Sequence, residues 1–402
     1  MSIFVQIAAY RDPQLVPTIK DMLSNAKYPE NLTICICNQY HPDDSFHLDD
    51  YRNNPQFIIV DVRYNETKGA CWARNQVQQK YAGQDYTLQI DSHMRFVKDW
   101  DIQMIDMLKN LQYNFEKPML TSYVSSFDPE NDPSGRVQEP WQMAFDRFIP
   151  EGTVFFLPET IPNWKQLTGP LRARFYSAHF CFTLGKFCLE VPHDPNLYFH
   201  SEEMSITVRA FTNGYDLFHP HRVLIWHEYT RKGRTKHWDD DAEWHLKNDA
   251  SHKRNRILFK MEEGEIESHG FGTVRTLEDY EMYAGLKFKT RSVQQYTTDK
   301  KYPPNPVLSG KEYTDSFVIK FKHVINVPLD KVSENDYTIW AVAFEKDGKE
   351  LYREDADTEE INQIKEKGVL WREFKTTEHP TYWVIWPHSE SKGWCERIIG
   401  RI

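Results

Sequence analysis

The first 125 residues alternate two hydrophobic rhythms. Residues 3–8 are apolar except for Gln6, the pattern of a buried strand. Residues 13–26 then space Leu15, Val16, Ile19, Met22 and Leu23 as one face of a helix. Strands are predicted at 32–37, 57–62, 86–90 and 119–124, and helices at 69–81 and 100–111. This strand–helix–strand rhythm predicts an α/β fold with a mostly parallel sheet covered by helices. Ligands of such sheets bind beyond the carboxyl ends of the strands. In residues 32–37 the alternation turns Cys35 and Cys37 to the face of Thr33 and the isoleucines to the other.

The middle of the chain is less regular. Residues 128–140, rich in Pro, Gly, Asp and Asn, read as a surface loop. A strand is predicted at 178–183 and a helix at 202–211, with Gly214 suited to its C-terminal cap. Residues 233–249 are dense in His, Trp, Lys and Asp and read as a mobile or ligand-facing segment. A boundary is expected at Tyr302-Pro303-Pro304-Asn305-Pro306. Beyond it the helical period fades, and strands are predicted at 316–324, 338–344, 369–374 and 382–386. The expected organisation is a catalytic domain over 1–300 and a β-rich accessory domain, a small β-sandwich, over 305–402. An exposed edge of that β domain could pair subunits into a homo-oligomer.

Composition narrows the partners. Hydrophobic residues make up 40% and charged residues 27% of the 402, with a net charge of -10, which argues against a nucleic-acid binder. The six cysteines form no CxxC pair, so zinc-ribbon and redox-dithiol chemistry is excluded and buried thiols in a reducing compartment are expected. No basic segment opens the chain, and no stretch approaches the ~18 apolar residues of a membrane span. The expectation is a cytoplasmic protein with no transmembrane segment.

Three stretches carry candidate chemistry. In Leu88-Gln89-Ile90-Asp91-Ser92-His93 an acid and a histidine stand two apart at a strand end, where both can face one ion. A carboxylate with an imidazole suits Mn²⁺, with Mg²⁺ as the alternative, and such an ion would bridge a nucleotide diphosphate. Upstream, Gly69 would let backbone approach a nucleotide, and Arg74 follows one turn along the helix. Glu202 and Glu203 open a helix, where the dipole favours one carboxylate and a sugar hydroxyl could occupy the other. His227 ends an apolar run as a third metal ligand would. Arg231, Lys232 and Arg234 behind it could neutralise phosphates, and His237 and Trp238 could close over a nucleotide.

Together these motifs resemble the UDP-GlcNAc:polypeptide (hydroxyproline) α-N-acetylglucosaminyltransferases. The resemblance spans residues 2–238 and rests on Ala8-Ala9-Tyr10-Arg11-Asp12-Pro13, Lys68-Gly69-Ala70-Cys71-Trp72-Ala73-Arg74, the Asp91-Ser92-His93 segment, Phe180-Cys181-Phe182-Thr183, Val191-Pro192-His193-Asp194-Pro195, the Glu202-Glu203 pair and His227-Glu228-Tyr229. More distantly the chain resembles the polypeptide GalNAc-transferases. The resemblance implies a GT-A (Rossmann-like) fold, a UDP-sugar donor with GlcNAc expected, a protein or glycan acceptor, and retention of configuration in an α linkage. It implies Asp91, His93 and His227 as metal ligands for Mn²⁺ or Mg²⁺, and residues Ala9, Tyr10, Arg11 and Asp12 around the uridine. It further implies Gly69, Arg74, Ser92, Tyr229 and Arg231 on the nucleotide-sugar, and Glu202, Glu203 and Asp91 as the catalytic set. Ser201 stands where the family often has glycine. Two other readings remain: a lectin-like sugar binder with a degenerate site, and a polysaccharide-building transferase using another UDP-hexose.

Overall fold

Buried runs and amphipathic stretches become strands and helices close to where their periods place them. The computed structural model describes all 402 residues. They divide into two units, residues 1–290 with 296–307 and residues 291–295 with 308–402. The first unit runs through β1 (Ile3–Tyr10), α1 (Leu15–Asn25), β2 (Leu32–Tyr40), β3 (Phe57–Arg63), α2 (Ala70–Gln78), β4 (Tyr86–Asp91), β5 (Met94–Phe96), α3 (Trp100–Gln112) and β6 (Lys117–Thr121). It continues with β7 (Trp141–Phe148), β8 (Val154–Thr160), β9 (Leu171–Arg172), β10 (Phe180–Leu184), α4 (Phe187–Glu190), α5 (Glu202–Thr212) and β11 (Tyr215–His219). β12 (Ile225–His227), α6 (His237–Asp240), α7 (Trp244–Leu258) and α8 (Leu277–Ala284) follow.

One eight-stranded sheet has the order β3-β2-β1-β4-β10-β6-β11-β9. β3, β2, β1 and β4 are parallel, as are β6 and β11, while β10 runs against both of its neighbours. This is a mixed α/β arrangement. Ile3, Val5, Ile7 and Ala9 share a core with Leu15, Ile19 and Met22 of α1 and with Trp100, Met104 and Leu108 of α3. On the opposite face Phe4, Cys35 and Cys37 meet Ala73 and Val77 of α2. The period of two therefore sends both cysteines to one face and the isoleucines of β2 to the other. It also places Ala8, Tyr10, Gln39 and Asp91 on the α2 face near the carboxyl ends of their strands. A one-residue register slip would turn all four into the wrong core.

Several elements depart from the sequence expectation. The antiparallel hairpin of β7 and β8 was not predicted. Residues 233–249, expected as a mobile or ligand-facing segment, hold α6 and the start of α7. In the second unit, Phe317–Asn326 pairs antiparallel with Val369–Thr376, and Tyr337–Lys346 with Tyr382–Ser389. Ile325, Leu370 and Phe374 of one pair share a core with Trp340, Val342, Phe344 and Ile385 of the other, so the two sheets stack. An unpredicted helix, Thr358–Lys367, adds Ile361 and Ile364 to that core. No helix in the chain is long and apolar enough to cross a membrane.

Candidate active site

β4 ends on Asp91 and β5 opens at Met94, so Asp91 and His93 flank a tight turn at the carboxyl edge of the sheet. β5 pairs antiparallel with β12, setting His227 opposite Met94. Asp91 Oδ2 then lies 3.7 Å from His93 Nε2 and 3.4 Å from His227 Nε2, and the two nitrogens are 3.0 Å apart. One carboxylate oxygen and two imidazole nitrogens thus converge within 4.8 Å of one another. This donor set fits Mn²⁺.

Each of these groups is held from behind. His93 Nδ1 donates to Asp12 Oδ2 at 2.7 Å, and Ser92 Oγ donates to the same oxygen at 2.6 Å. A carboxylate in that position orients the ring and leaves Nε2 as the free ligand atom. Burial disfavours the Asp12 charge, but the hydrogen bond from His93 and its charge, with Ser92 and Arg234, bring the carboxyl down to about 2. Arg74 Nη2 donates to Asp91 Oδ1 at 2.7 Å, which leaves Oδ2 for the histidines. Burial opposes ionisation of Asp91 too, yet Arg74, His227 and His93 together outweigh it and hold the carboxyl well below its usual range. Burial pushes His227 down to about 4 in spite of Asp91, so its ring is neutral and able to ligate at pH 7.

The paired glutamates have different surroundings. Arg74 Nη1 donates to Glu202 Oε2 at 2.5 Å, so one buried guanidinium joins Asp91 to Glu202. Glu202 Oε1 lies 3.0 Å from His193 Nδ1, and His193 Nε2 lies 2.5 Å from Gln89 Oε1. Against the effect of burial, Arg74 and His193 bring Glu202 down to about 2. Glu203 has no such cation in contact. Its Oε1 accepts from the Ala178 N–H at 3.0 Å and its Oε2 from the Tyr123 hydroxyl at 2.8 Å. Burial, only partly offset by these bonds, raises its carboxyl to about 7.

Asp12, Arg74, Asp91, Ser92, His93, Tyr123, Ala178, Glu202, Glu203, His227 and Arg234 line one cleft of about 550 Å³, and His193 and Gln89 lie behind its wall. Among the residues singled out from the sequence for binding or catalysis, only Ala9, Arg11 and Lys232 do not line it. Ala9 packs into the core on the far face of the sheet. Arg11, at φ 45°, turns aside to pair with Asp44 at 3.0 Å and Asp240 at 2.8 Å. Asp12 and Ser92 line the cleft but spend their side chains behind His93. Tyr229 packs its ring on His227 at 4.3 Å and donates its hydroxyl to the Val124 carbonyl. Lys232 is exposed and paired with Glu130, whereas Arg234 enters the cleft and pairs with Glu228 at 2.6 Å. Gly69, at φ +104°, is demanded by packing: an added Cβ would stand 2.7 Å from Tyr198 Cδ2.

The family profile described as Glycosyltransferase (GlcNAc) matches residues 2–55 and 44–290. The chain belongs to this glycosyltransferase family. Comparison with curated proteins gives no match. Among solved structures the glycosyltransferase is similar to GalNAc-T7 crystallised with UDP, GalNAc and Mn²⁺, at 14% identity over 69% of this chain and 56% of that one, with a TM-score of 0.48. It is also similar to S. aureus TarS 1-349 in complex with UDP-GlcNAc, at 11% identity over 60% of this chain and 61% of that one, with a TM-score of 0.37. The chain spans little more than half the length of that GalNAc-T7 chain.

Motif reading missed part of the glycosyltransferase's cleft wall. His179 stacks between Tyr123 at 5.1 Å and His227 at 4.4 Å. Phe155, Phe156 and Leu157 of β8 and Tyr198 complete an aromatic side. No local signal marks His179, which precedes a strand and acquires its neighbours only through the sheet. Asp12 was flagged for the uridine; its place behind His93 depends on residues 81 positions apart in sequence.

Proposed function

We propose that the first unit is the catalytic domain of a metal-dependent, retaining transferase. It moves GlcNAc, in α linkage, from UDP-GlcNAc to a hydroxyl of a protein or glycan in the cytoplasm. The second unit is an accessory domain. The observation that carries this reading is the convergence of Asp91, His93 and His227, backed by Arg74 and Asp12, at the strand ends of a family member's sheet. Five buried free thiols suit a reducing compartment.

Mn²⁺ or Mg²⁺ on Asp91, His93 and His227 would supply positive charge against the diphosphate leaving group. The side chains around that position do the remaining work. The Arg231 guanidinium, 5.9 Å from the Phe199 ring centre and 5.6 Å from that of Trp238, pairs with phosphate oxygens. Glu202 is a positioning residue, since its carboxylate is committed to Arg74 and His193. Glu203 and Tyr123 face the donor sugar and bind its hydroxyls. The one carboxylate of the cleft with a raised pKa, Glu203, is tied by two hydrogen bonds, which disfavours a covalent glycosyl-enzyme. The acceptor oxygen therefore bonds to the anomeric carbon on the face from which the phosphate oxygen departs, and the acceptor proton passes to that oxygen. The test is UDP release from a panel of UDP-sugars, with Mn²⁺ or EDTA, for the wild type and Asp91→Asn. Turnover of UDP-GlcNAc that needs both metal and Asp91 is the expected result. Turnover unaffected by EDTA or by Asp91→Asn would overturn the metal assignment.

A further inference from the structure

The two histidines proposed as ligands are held in different ways. Asp12 fixes the His93 ring through Nδ1. The same atom of His227, Nδ1, is buried and has no hydrogen-bond partner. The backbone of His227 is secured, since its N–H donates to the Ser125 carbonyl at 3.0 Å and its carbonyl accepts from the Phe127 N–H at 3.2 Å. That leaves the ring free to turn about its side-chain torsions. A ligating imidazole ordinarily has its second nitrogen tied to a carboxylate, a carbonyl or water, and this one does not. The contacts that hold it are aromatic.

His179 lies against the face of the His227 ring, with centroids 4.4 Å apart and planes 27° from parallel. Tyr229 meets the same ring at 4.3 Å and 65°. Turning the imidazole out of this arrangement would drive its edge into the His179 face, so the stack limits rotation. His179 is itself immobilised. Its Nε2 accepts from the Val124 N–H at 3.2 Å, so that nitrogen carries no proton and the ring is neutral. A neutral ring adds no charge beside the cation. The preceding residue is pinned at both ends, because the Ala178 N–H donates to Glu203 at 3.0 Å and its carbonyl accepts from Gln89 Nε2 at 2.7 Å. Tyr123 stacks on His179 at 5.1 Å and 28°, and its hydroxyl is bonded to Glu203.

We infer that His179 is a positioning residue for the metal centre, holding the His227 ring by stacking where a hydrogen bond holds His93. The inference rests on the metal reading above and adds the residue that keeps the third ligand aimed at Asp91 and His93. What the ion needs at position 179 is then a flat ring, and the nitrogen that accepts from Val124 is secondary. Phenylalanine there keeps the stack and loses the acceptor. Glutamine keeps an acceptor and loses the stack.

The experiment is Mn²⁺ titration of the full chain followed by electron paramagnetic resonance, for the wild type, His179→Ala, His179→Gln and His179→Phe. Spin-echo modulation reports which histidine nitrogens touch the ion, and circular dichroism checks folding. The wild type is expected to show nitrogen from both His93 and His227. His179→Ala and His179→Gln should bind Mn²⁺ about 3- to 10-fold more weakly, the loss expected for one aromatic pair, with the nitrogen modulation reduced. His179→Phe should restore both the affinity and the modulation. A folded His179→Ala or His179→Gln with the affinity and modulation of the wild type overturns the inference and leaves the metal reading standing. A folded His179→Phe that binds as weakly as His179→Ala also overturns it. So does a wild type that shows nitrogen from one histidine alone, a result that needs no variant to fold. A wild type that binds no Mn²⁺ overturns the metal reading as well.

Discussion

Asp12→Asn removes one charge from behind His93 and leaves the side-chain shape almost unchanged. In the wild type Asp12 Oδ2 receives hydrogen bonds from His93 Nδ1 at 2.7 Å and from Ser92 at 2.6 Å. A hydrogen bond to an ionised group contributes about 1.5–3 kcal/mol and a neutral one about 0.5–1.5 kcal/mol, so the change costs roughly 1–2 kcal/mol of His93 orientation. The amide can also present its N–H to Nδ1, which places the imidazole proton on Nε2 and blocks ligation. At 1.4 kcal/mol per factor of ten, the Mn²⁺ dissociation constant rises about 5- to 30-fold, comparable with the loss expected for partners behind a metal ligand. Mn²⁺ titration followed by electron paramagnetic resonance, with circular dichroism as the control for folding, measures this directly. If Asp12→Asn is folded and binds Mn²⁺ as tightly as the wild type, His93 is not a ligand held by Asp12, and the reading of the centre fails.

Three further outcomes are expected. Arg74→Met leaves Asp91 and Glu202 buried without their shared cation, so the unfolding free energy should fall by about 3–5 kcal/mol, measured with urea; a loss below 1 kcal/mol would contradict the bridging role. Glu203 titrates at about 7 in the fold against an unperturbed 4.5, so its protonated form favours folding. That contribution is complete below about pH 4.5 and is lost as the pH rises through 7, amounting to at most about 3 kcal/mol. Glu203→Gln, permanently neutral, should therefore gain stability over the wild type between pH 5 and 8, and parallel stability curves would refute the assignment. Gly69→Ala should lower the unfolding temperature through strain of about 1–3 kcal/mol at φ +104° and the clash with Tyr198, whereas an unchanged temperature would show that the turn can relax.

The Asp91–His93 part of the site was legible because strand alternation is local. Asp91 and His93, two apart after an apolar run, had to emerge together at a strand end, and they do. His227, the proposed third ligand, was visible only as a histidine ending an apolar run; its place beside Asp91 and His93 comes from the pairing of β12 with β5. The hairpin of β7 and β8 escaped because a register shift between Phe145 and Arg147 breaks the period of two. Helix α7 escaped because its buried face holds Ser251, His252 and Asn255 beside Leu258, so no apolar stripe marks it. Thr358–Lys367 could have been found: Asp357 caps its start by accepting from the Glu360 N–H, and Gly368 closes it with φ 71°. Its buried apolar pair, Ile361 and Ile364, is too short to show a period.

The reversed strand β10 has a consequence for variation. Parallel strands offer a ligand the loops at their carboxyl ends, but β10 offers the segment that opens it, and so Ala178 and His179 reach the cleft. The wall built from Ala178, His179 and the β7–β8 hairpin is thus carried on chain separate from the Asp91–His93 turn. Substitutions in that hairpin can reshape what the cleft accepts while β1, β2 and β4, which set Asp12, Gln39 and Asp91, keep their register.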